Sequence, residues 1–260
     1  SEQALIELRK RSVNISQTVS VQELSKKGMS NITDGLNKVV GVTITKQINV
    51  RGLGDRYNQI SLNYLPLPSS NPEFKNIDLN LFDKDFISSL NIYKTYTANL
   101  YSESTASQFN INTKQISNTE GKVKVGINYN GFNNKISPLF RYNHQFKWKN
   151  YRLYYSLKYS KVNDYIEGEI AEYNTQGNQV LKYKLQEESE IDNYNFSLIN
   201  KFYLNDIDFE FITLGTIINS QSNYITYGDH FDYPTKLRTD RNTPFNQNRF
   251  IQQFNTKYQL

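Results

Sequence analysis

Cysteine is absent from the 260 residues, which excludes disulfide staples, thiolate catalysis and thiolate metal sites. Histidine occurs only twice, as His144 and His230. That is too few for a histidine-built metal centre, and neither stands in a Gly-x-Ser-x-Gly or similar hydrolase setting. No run approaches the roughly 18 apolar residues of a membrane-crossing helix, and the start carries no apolar secretory segment. The net charge is +5, from 30 Lys and Arg against 25 Asp and Glu, but the cations are scattered. The longest basic run, Arg9-Lys10-Arg11, reads as a solvated helix end, not as the stripe of a nucleic-acid-binding protein. Acids gather at Glu187, Glu188 and Glu190, and at Asp229, Asp232 and Asp240. The first set reads as a solvated charge run, and the second lacks the Asp-x-Asp-x-Asp-Gly order of a calcium loop. Composition thus points to no enzyme, no metal, no cofactor and no nucleic-acid partner.

Aromatic side chains are what the chain has in excess: 20 Tyr and 15 Phe beside a single Trp. Aromatics favour strands, and tyrosine suits a membrane interface, where its ring is apolar and its hydroxyl wet. The absence of long apolar runs leaves a β-type membrane protein open, because spanning strands alternate.

The patterning falls into two parts. Over residues 1–116, short helical and strand signals mix. Val19 and Val21 suggest a strand, and Ser20 with Glu23 makes a capping box. Ser30 or Asn31 caps a helix that Gly41 stops, and a further helix is expected from Asp83 to Leu90, with Phe86, Ile87 and Leu90 facing inward. Short strands are expected at Val42 to Lys46, Ile48 to Arg51, Gln59 to Leu65, Ile77 to Leu81, Leu90 to Thr95 and Phe109 to Lys114. Such a mixture makes a compact α+β domain.

The centre of that domain is Ile48 to Glu73, INVRGLGDRYNQISLNYLPLPSSNPE. A strand enters a charged turn, Arg51-Gly52-Leu53-Gly54-Asp55-Arg56. A second strand then leads to a proline-bounded loop, Pro66 to Pro72. This string resembles the plug domain of TonB-dependent outer-membrane receptors. The resemblance extends upstream through the order helix, strand, glycine, helix and "GVT". It extends downstream through the "YKT" strand and the closing strand that ends in Thr113-Lys114. It covers about residues 1–116. Where the family usually has glycine after the asparagine, this chain has Tyr64.

From Gly121 the period changes to two. Val123, Val125, Ile127 and Tyr129 share one face, as do Phe140, Tyr142, His144, Phe146 and Trp148, and Tyr151, Leu153, Tyr155, Leu157 and Tyr159. Tyr194, Phe196, Leu198, Phe202 and Leu204 continue the pattern, as do Phe250, Phe254, Tyr258 and Leu260. Lengths near nine to eleven residues fit tilted membrane strands. Turns are short at Asn130 to Lys135, Lys149-Asn150 and Asn205-Asp206. Long polar loops are expected over Asp164 to Ser189, with two more strands possible inside it, and over Asn223 to Asn248. A complete transporter barrel needs about 22 strands, so residues 117–260 are expected to form antiparallel strands of an incomplete transmembrane β-barrel.

The resemblance implies a receptor of the bacterial outer membrane, embedded in outer-membrane lipid. It would import an extracellular solute, a small molecule, oligosaccharide or peptide, when the TonB–ExbB–ExbD complex displaces the plug. A surface lipoprotein is a possible further partner. Arg51, Gly52, Asp55 and Arg56 would lock plug to barrel, since buried arginine with bidentate carboxylates sets geometric register. Simple turn stabilisation is the competing reading. Tyr57, Asn63, Tyr64 and Asn71 are candidate ligand contacts, against packing of the same loops on the wall. Two other functions stand beside the receptor: a non-transporting plug and barrel accessory of a secretion or uptake complex, and a soluble carbohydrate-binding sandwich.

Overall fold

The computed structural model describes residues 16–20, 36–37, 39–44, 48–68, 82, 85–95, 107–231 and 235–258. The chain divides into two compact units, Ser1–Ser117 and Asn118–Leu260. In the first, β1 (Ser16–Ser20), β6 (Ile87–Tyr93), β7 (Ser107–Thr113), β4 (Asn58–Leu62) and β5 (Leu65–Pro66) form one sheet in that order. β4 runs parallel to β7 and the other pairs are antiparallel. β2 (Val42–Ile44) and β3 (Ile48–Val50) make a separate antiparallel pair. Val50, Leu62, Phe86, Ile92, Phe109 and Ile111 are fully buried. Leu90 and Ile92 alternate along β6, whereas β4 and β7 are buried at successive positions and Phe86 packs from the turn before β6, so a central sheet covered on both faces forms the core.

Among the described residues the named elements of this unit are strands and one 3-10 turn, Asp55–Tyr57, and Leu36 alone carries α-helical backbone. The turn that Ser20 and Glu23 would cap, the start of the helix expected from Ser30 or Asn31, and the strand expected at Ile77 to Leu81 lie outside the described residues; of that helix's end, Leu36 is helical and buried, and Gly41 takes φ 77. The helix expected from Asp83 to Leu90 is overturned where it can be seen, because Ile87 begins β6. Phe86, Ile87 and Leu90 are buried as expected, but pairing with β1 and β7 decides the backbone.

The second unit is an antiparallel meander of six strands in sequence order: β8 (Glu120–Asn130), β9 (Lys135–Trp148), β10 (Tyr151–Tyr173), β11 (Gln179–Leu204), β12 (Ile207–His230) and β13 (Thr235–Tyr258). The sheet does not close on itself, since β8 and β13 remain its two edges. The expected polar loops are instead paired strand. Residues 164–173 and 179–189 extend β10 and β11, and residues 223–230 and 235–248 extend β12 and β13. The reversal between β10 and β11 sits at Asn174–Asn178, where Gly177 takes φ 84 and Asn174 Oδ1 accepts from the backbone of Gln176 and Asn178. Charges across the ladder hold the polar part, with Lys182 3.2 Å from Glu169 and Lys161 2.9 Å from Glu190.

Register brings the apolar and aromatic stripes read from the sequence onto one face of the six strands. One continuous row reads Val123, Tyr142, Leu157, Phe196, Gly215 and Phe250; another reads Val125, Phe140, Tyr159, Tyr194 and Ile217. Most of these side chains are exposed, Val125 at 70% and Phe250 at 67%. The opposite face carries Arg141, Asn143, Gln145, Ser156, Ser197 and Thr216, all buried, and a buried row of Tyr154, Ile199 and Ile212.

Candidate functional site

The charged corner is a two-residue hairpin. Val50 and Leu53 exchange backbone hydrogen bonds of 2.9 Å in both directions. Arg51 and Gly52 between them take φ 52 and 81, the two left-handed positions of a type I′ turn. The second position is free for glycine, and the first forces arginine into a costly conformation. The Arg51 amide donates to the Gly41 carbonyl at 2.9 Å, tying the corner to β2. The guanidinium is exposed, and among the described residues no carboxylate pairs with it. Lys94 adds a second cation beside it. Its ammonium donates to the Val40 carbonyl at 2.5 Å. Its pKa is lowered by burial and then by the nearby Arg51 charge. Arg56 is exposed, with its guanidinium 5.0 Å from the centre of the Tyr57 ring. The Asp55 backbone opens the 3-10 turn that follows.

A residue not foreseen from sequence holds this corner from behind. Asn58, buried at the start of β4, donates to the carbonyls of Ile48 at 2.8 Å and Gly54 at 3.4 Å. Its Oδ1 accepts from the Ser107 hydroxyl at 2.7 Å. One amide thus joins β3, the turn, β4 and β7. An asparagine at the entry to a strand gives no periodic signal, so only the fold reveals it.

Asn63 and Tyr64 occupy the other end of β4, also left-handed, at φ 47 and 70. The strand between them and Tyr57 is five residues long, which at a rise of about 3.3 Å per residue separates the two ends by roughly 17 Å. The candidate ligand contacts therefore do not form one patch: Tyr57 stands with the arginine corner, and Asn63 and Tyr64 stand apart from it. The Asn63 amide is engaged by Thr113, with its Nδ2 donating to the hydroxyl and its Oδ1 accepting from the backbone, each at 3.0 Å. Tyr64 is half exposed, and its hydroxyl bonds Tyr93, whose pKa is pushed up to about 12 by burial and by that bond. Asn71 lies outside the described residues.

Behind this second turn runs a polar seam. Asn110, fully buried in β7, accepts from the Ser61 hydroxyl at 3.1 Å and from the Tyr64 amide at 2.6 Å. Its Nδ2 donates to Asn112, whose own amide donates to Ser89.

In the second unit, the exposed apolar face is bounded. On β11 it runs from Tyr194 to Leu204, eleven positions, the length a tilted strand needs to cross a bilayer. One margin carries Trp148, Tyr151, Phe202 and Tyr258, with Tyr151 and Phe202 rings 4.8 Å apart. The other carries Tyr159 and Tyr194, rings 5.0 Å apart. One row beyond it the same face turns polar, at Lys161, Asp192, Asn219 and Asn246. There Glu190 receives Lys135 at 2.5 Å and Lys161 at 2.9 Å. These two bonds bring its pKa down to about 2. His144 lies on the aromatic face against Tyr155, with ring centres 5.7 Å apart. Among the described residues no group of three His, Asp or Glu side chains could hold a metal.

Residues 9–107 match the family model described as the TonB-dependent receptor plug domain. No curated protein matches the chain. Among solved structures, a double mutant of the ferric enterobactin receptor PfeA of Pseudomonas aeruginosa aligns with TM-score 0.52 at 13% identity, covering 85% of this chain and 41% of that one. The same receptor in complex with BCV-L6 gives 0.51 at 13% identity, over 90% and 45%. The siderophore receptor PirA of Pseudomonas aeruginosa gives 0.48 at 10%, over 92% and 55%. The chain thus spans about half the length, or less, of the receptors whose fold it shares.

Proposed function

We propose that this chain, which carries the plug domain of the TonB-dependent receptors and belongs to the bacterial outer membrane, binds an extracellular solute and admits it to the periplasm when its plug is displaced. The plug is an α+β domain in this reading. The six strands are part of a transmembrane barrel whose lipid side is the exposed aromatic face. The TonB–ExbB–ExbD complex supplies the force, and the solute is a small chelate, an oligosaccharide or a peptide.

One observation carries the reading. A plug-family domain is followed by strands whose apolar face is as tall as a bilayer and edged by aromatic rings on both margins. A water-soluble sandwich would bury that face. Here Val125, Ile127, Trp148, Phe202, Phe250 and Phe254 are exposed together, a patch far beyond what a soluble monomer carries. Arg51 fits a lock between plug and wall: it is exposed, cationic, beside Lys94, and unpaired among the described residues. A carboxylate approaching it would gain two charge-assisted hydrogen bonds.

The test is fractionation of cells expressing the full protein, followed by electrophoresis with and without boiling. The expected result is a band in the outer-membrane fraction whose mobility changes on heating. A freely soluble monomer overturns the reading.

A further inference from the structure

The aromatic face is interrupted at one point. Gly215 of β12 stands in the row between Phe196 of β11 and Phe250 of β13. With no side chain there, a groove of about 540 Å³ opens on the sheet, lined by Phe140, Leu157, Tyr194, Phe196, Ile217 and Phe250. Nothing in the backbone demands the glycine. Its φ lies outside the left-handed range, and a Cβ would meet only ordinary contacts, Phe250 at 3.8 Å, the Arg249 carbonyl at 3.9 Å and Phe196 at 4.0 Å. The groove thus exists because this position is empty, not because the chain must turn.

We infer that the groove seats one acyl chain of a membrane lipid, held more tightly than the exchanging lipid around it. The inference rests on the outer-membrane reading, which makes this face the lipid side. The groove lies inside the apolar band and is continuous with the bilayer surface. It ends at the margin formed by Tyr159 and Tyr194. The exposed amide of Asn248 stands at that margin, and those of Asn219 and Asn246 stand one row beyond it on the same face. An amphiphile laid along the strands therefore puts its chain against rings and its headgroup among hydrogen-bonding amides. A chain filling such a notch touches apolar atoms on three sides, against one side on a smooth wall, and dispersion contacts sum accordingly. A second copy of this protein is the competing occupant, and its signature is a dimer that carries no lipid.

The experiment is native mass spectrometry of the full protein extracted from outer membranes in mild detergent, with washing that strips the surrounding lipid. The wild type is expected to keep one acylated lipid per chain. Gly215→Leu, which fills the groove, is expected to lower that occupancy roughly tenfold, the factor that about 1.4 kcal/mol of lost apolar contact carries. Leu204→Ile, on the same face but at the far margin from the groove, should leave it unchanged. Phe250→Ala removes a wall without adding bulk and should also lower retention, so the idea survives or falls even if Gly215→Leu does not insert. Equal retention by the wild type and the groove variants overturns the inference, as does a wild type that emerges lipid-free or as a lipid-free dimer. Absence of the wild type from the membrane fraction would instead overturn the outer-membrane reading itself.

Discussion

The side-chain oxygen of Asn110 lies 2.6 Å from the backbone nitrogen of Tyr64, so a buried residue of β7 takes up the amide that a left-handed turn points inward. The same oxygen serves Ser61. Replacing Asn110 with leucine leaves both donors facing an apolar atom, at about 1–3 kcal/mol for each stranded group. Asn110→Leu is expected to lower the denaturant midpoint of the N-terminal unit clearly. An exposed change nearby, Gln115→Ala, should not.

Tyr93 gives that unit a pH dependence of known sign. Its folded pKa, about 12, lies above the usual 10. Between those values the unfolded chain has released the proton and the folded one holds it, so stability falls as pH rises. Melting temperature is expected to decline from pH 10 upward. Tyr64→Phe removes the hydrogen bond, the second cause of the shift, and should soften that decline.

Glu190 works in the opposite direction. Its folded pKa is lowered to about 2 by Lys135 and Lys161, so its contribution is present above the unfolded value of 4.5 and is lost as pH falls toward 2. The pairs are more than a third exposed on the acid side, so solvent screening keeps the effect small, within about 1 kcal/mol. Glu190→Gln is expected to increase hydrogen exchange in the turn that ends at Lys135. Added salt should produce part of the same change in the wild type.

Gly228 and Gly168 make a matched pair. A Cβ at Gly228 would fall 2.1 Å from the Lys182 carbonyl and 2.4 Å from the Tyr183 Cα, whereas at Gly168 it meets nothing within 4 Å. Gly228→Ala should part β11 from β12 locally and cost about 1–3 kcal/mol, as overpacking does. Gly168→Ala should be neutral or slightly stabilising. Exchange rates along the upper part of β12 distinguish the two.

If Arg51 locks the plug, Arg51→Ala should leave folding intact, because the side chain is exposed. It should sensitise cells to a large hydrophilic antibiotic that the outer membrane normally excludes. Gly52→Ala, strained at φ 81, should cost about 1 kcal/mol in stability. Unchanged antibiotic exclusion by Arg51→Ala would reduce the corner to a turn.

Much of this was legible in the sequence where a local rule decides. Alternation assigned Phe140, Leu157, Phe196 and Phe250 to one face strand by strand, and tight turns such as Lys149-Asn150 and Asn205-Asp206 carried the register across. Where both faces are polar the rule is silent. Residues 164–189 read as loop with two strands possible inside it, and 223–248 as loop, because cross-strand charge pairs such as Lys182 with Glu169 leave no hydrophobic alternation. Phe86, Ile87 and Leu90 have a spacing that suits helix and strand alike, and the neighbours β1 and β7 choose. The arginine corner was visible through its glycines, whereas Asn58 and Asn110, which hold the two turns, have no signature outside the folded chain.

The strands β10 to β13, at 23 to 26 residues, run about twice as far as the bilayer requires. What such a protein offers to its surroundings is then woven fabric in place of loose coil. A visitor to the hairpin tips meets fixed pitch and spacing.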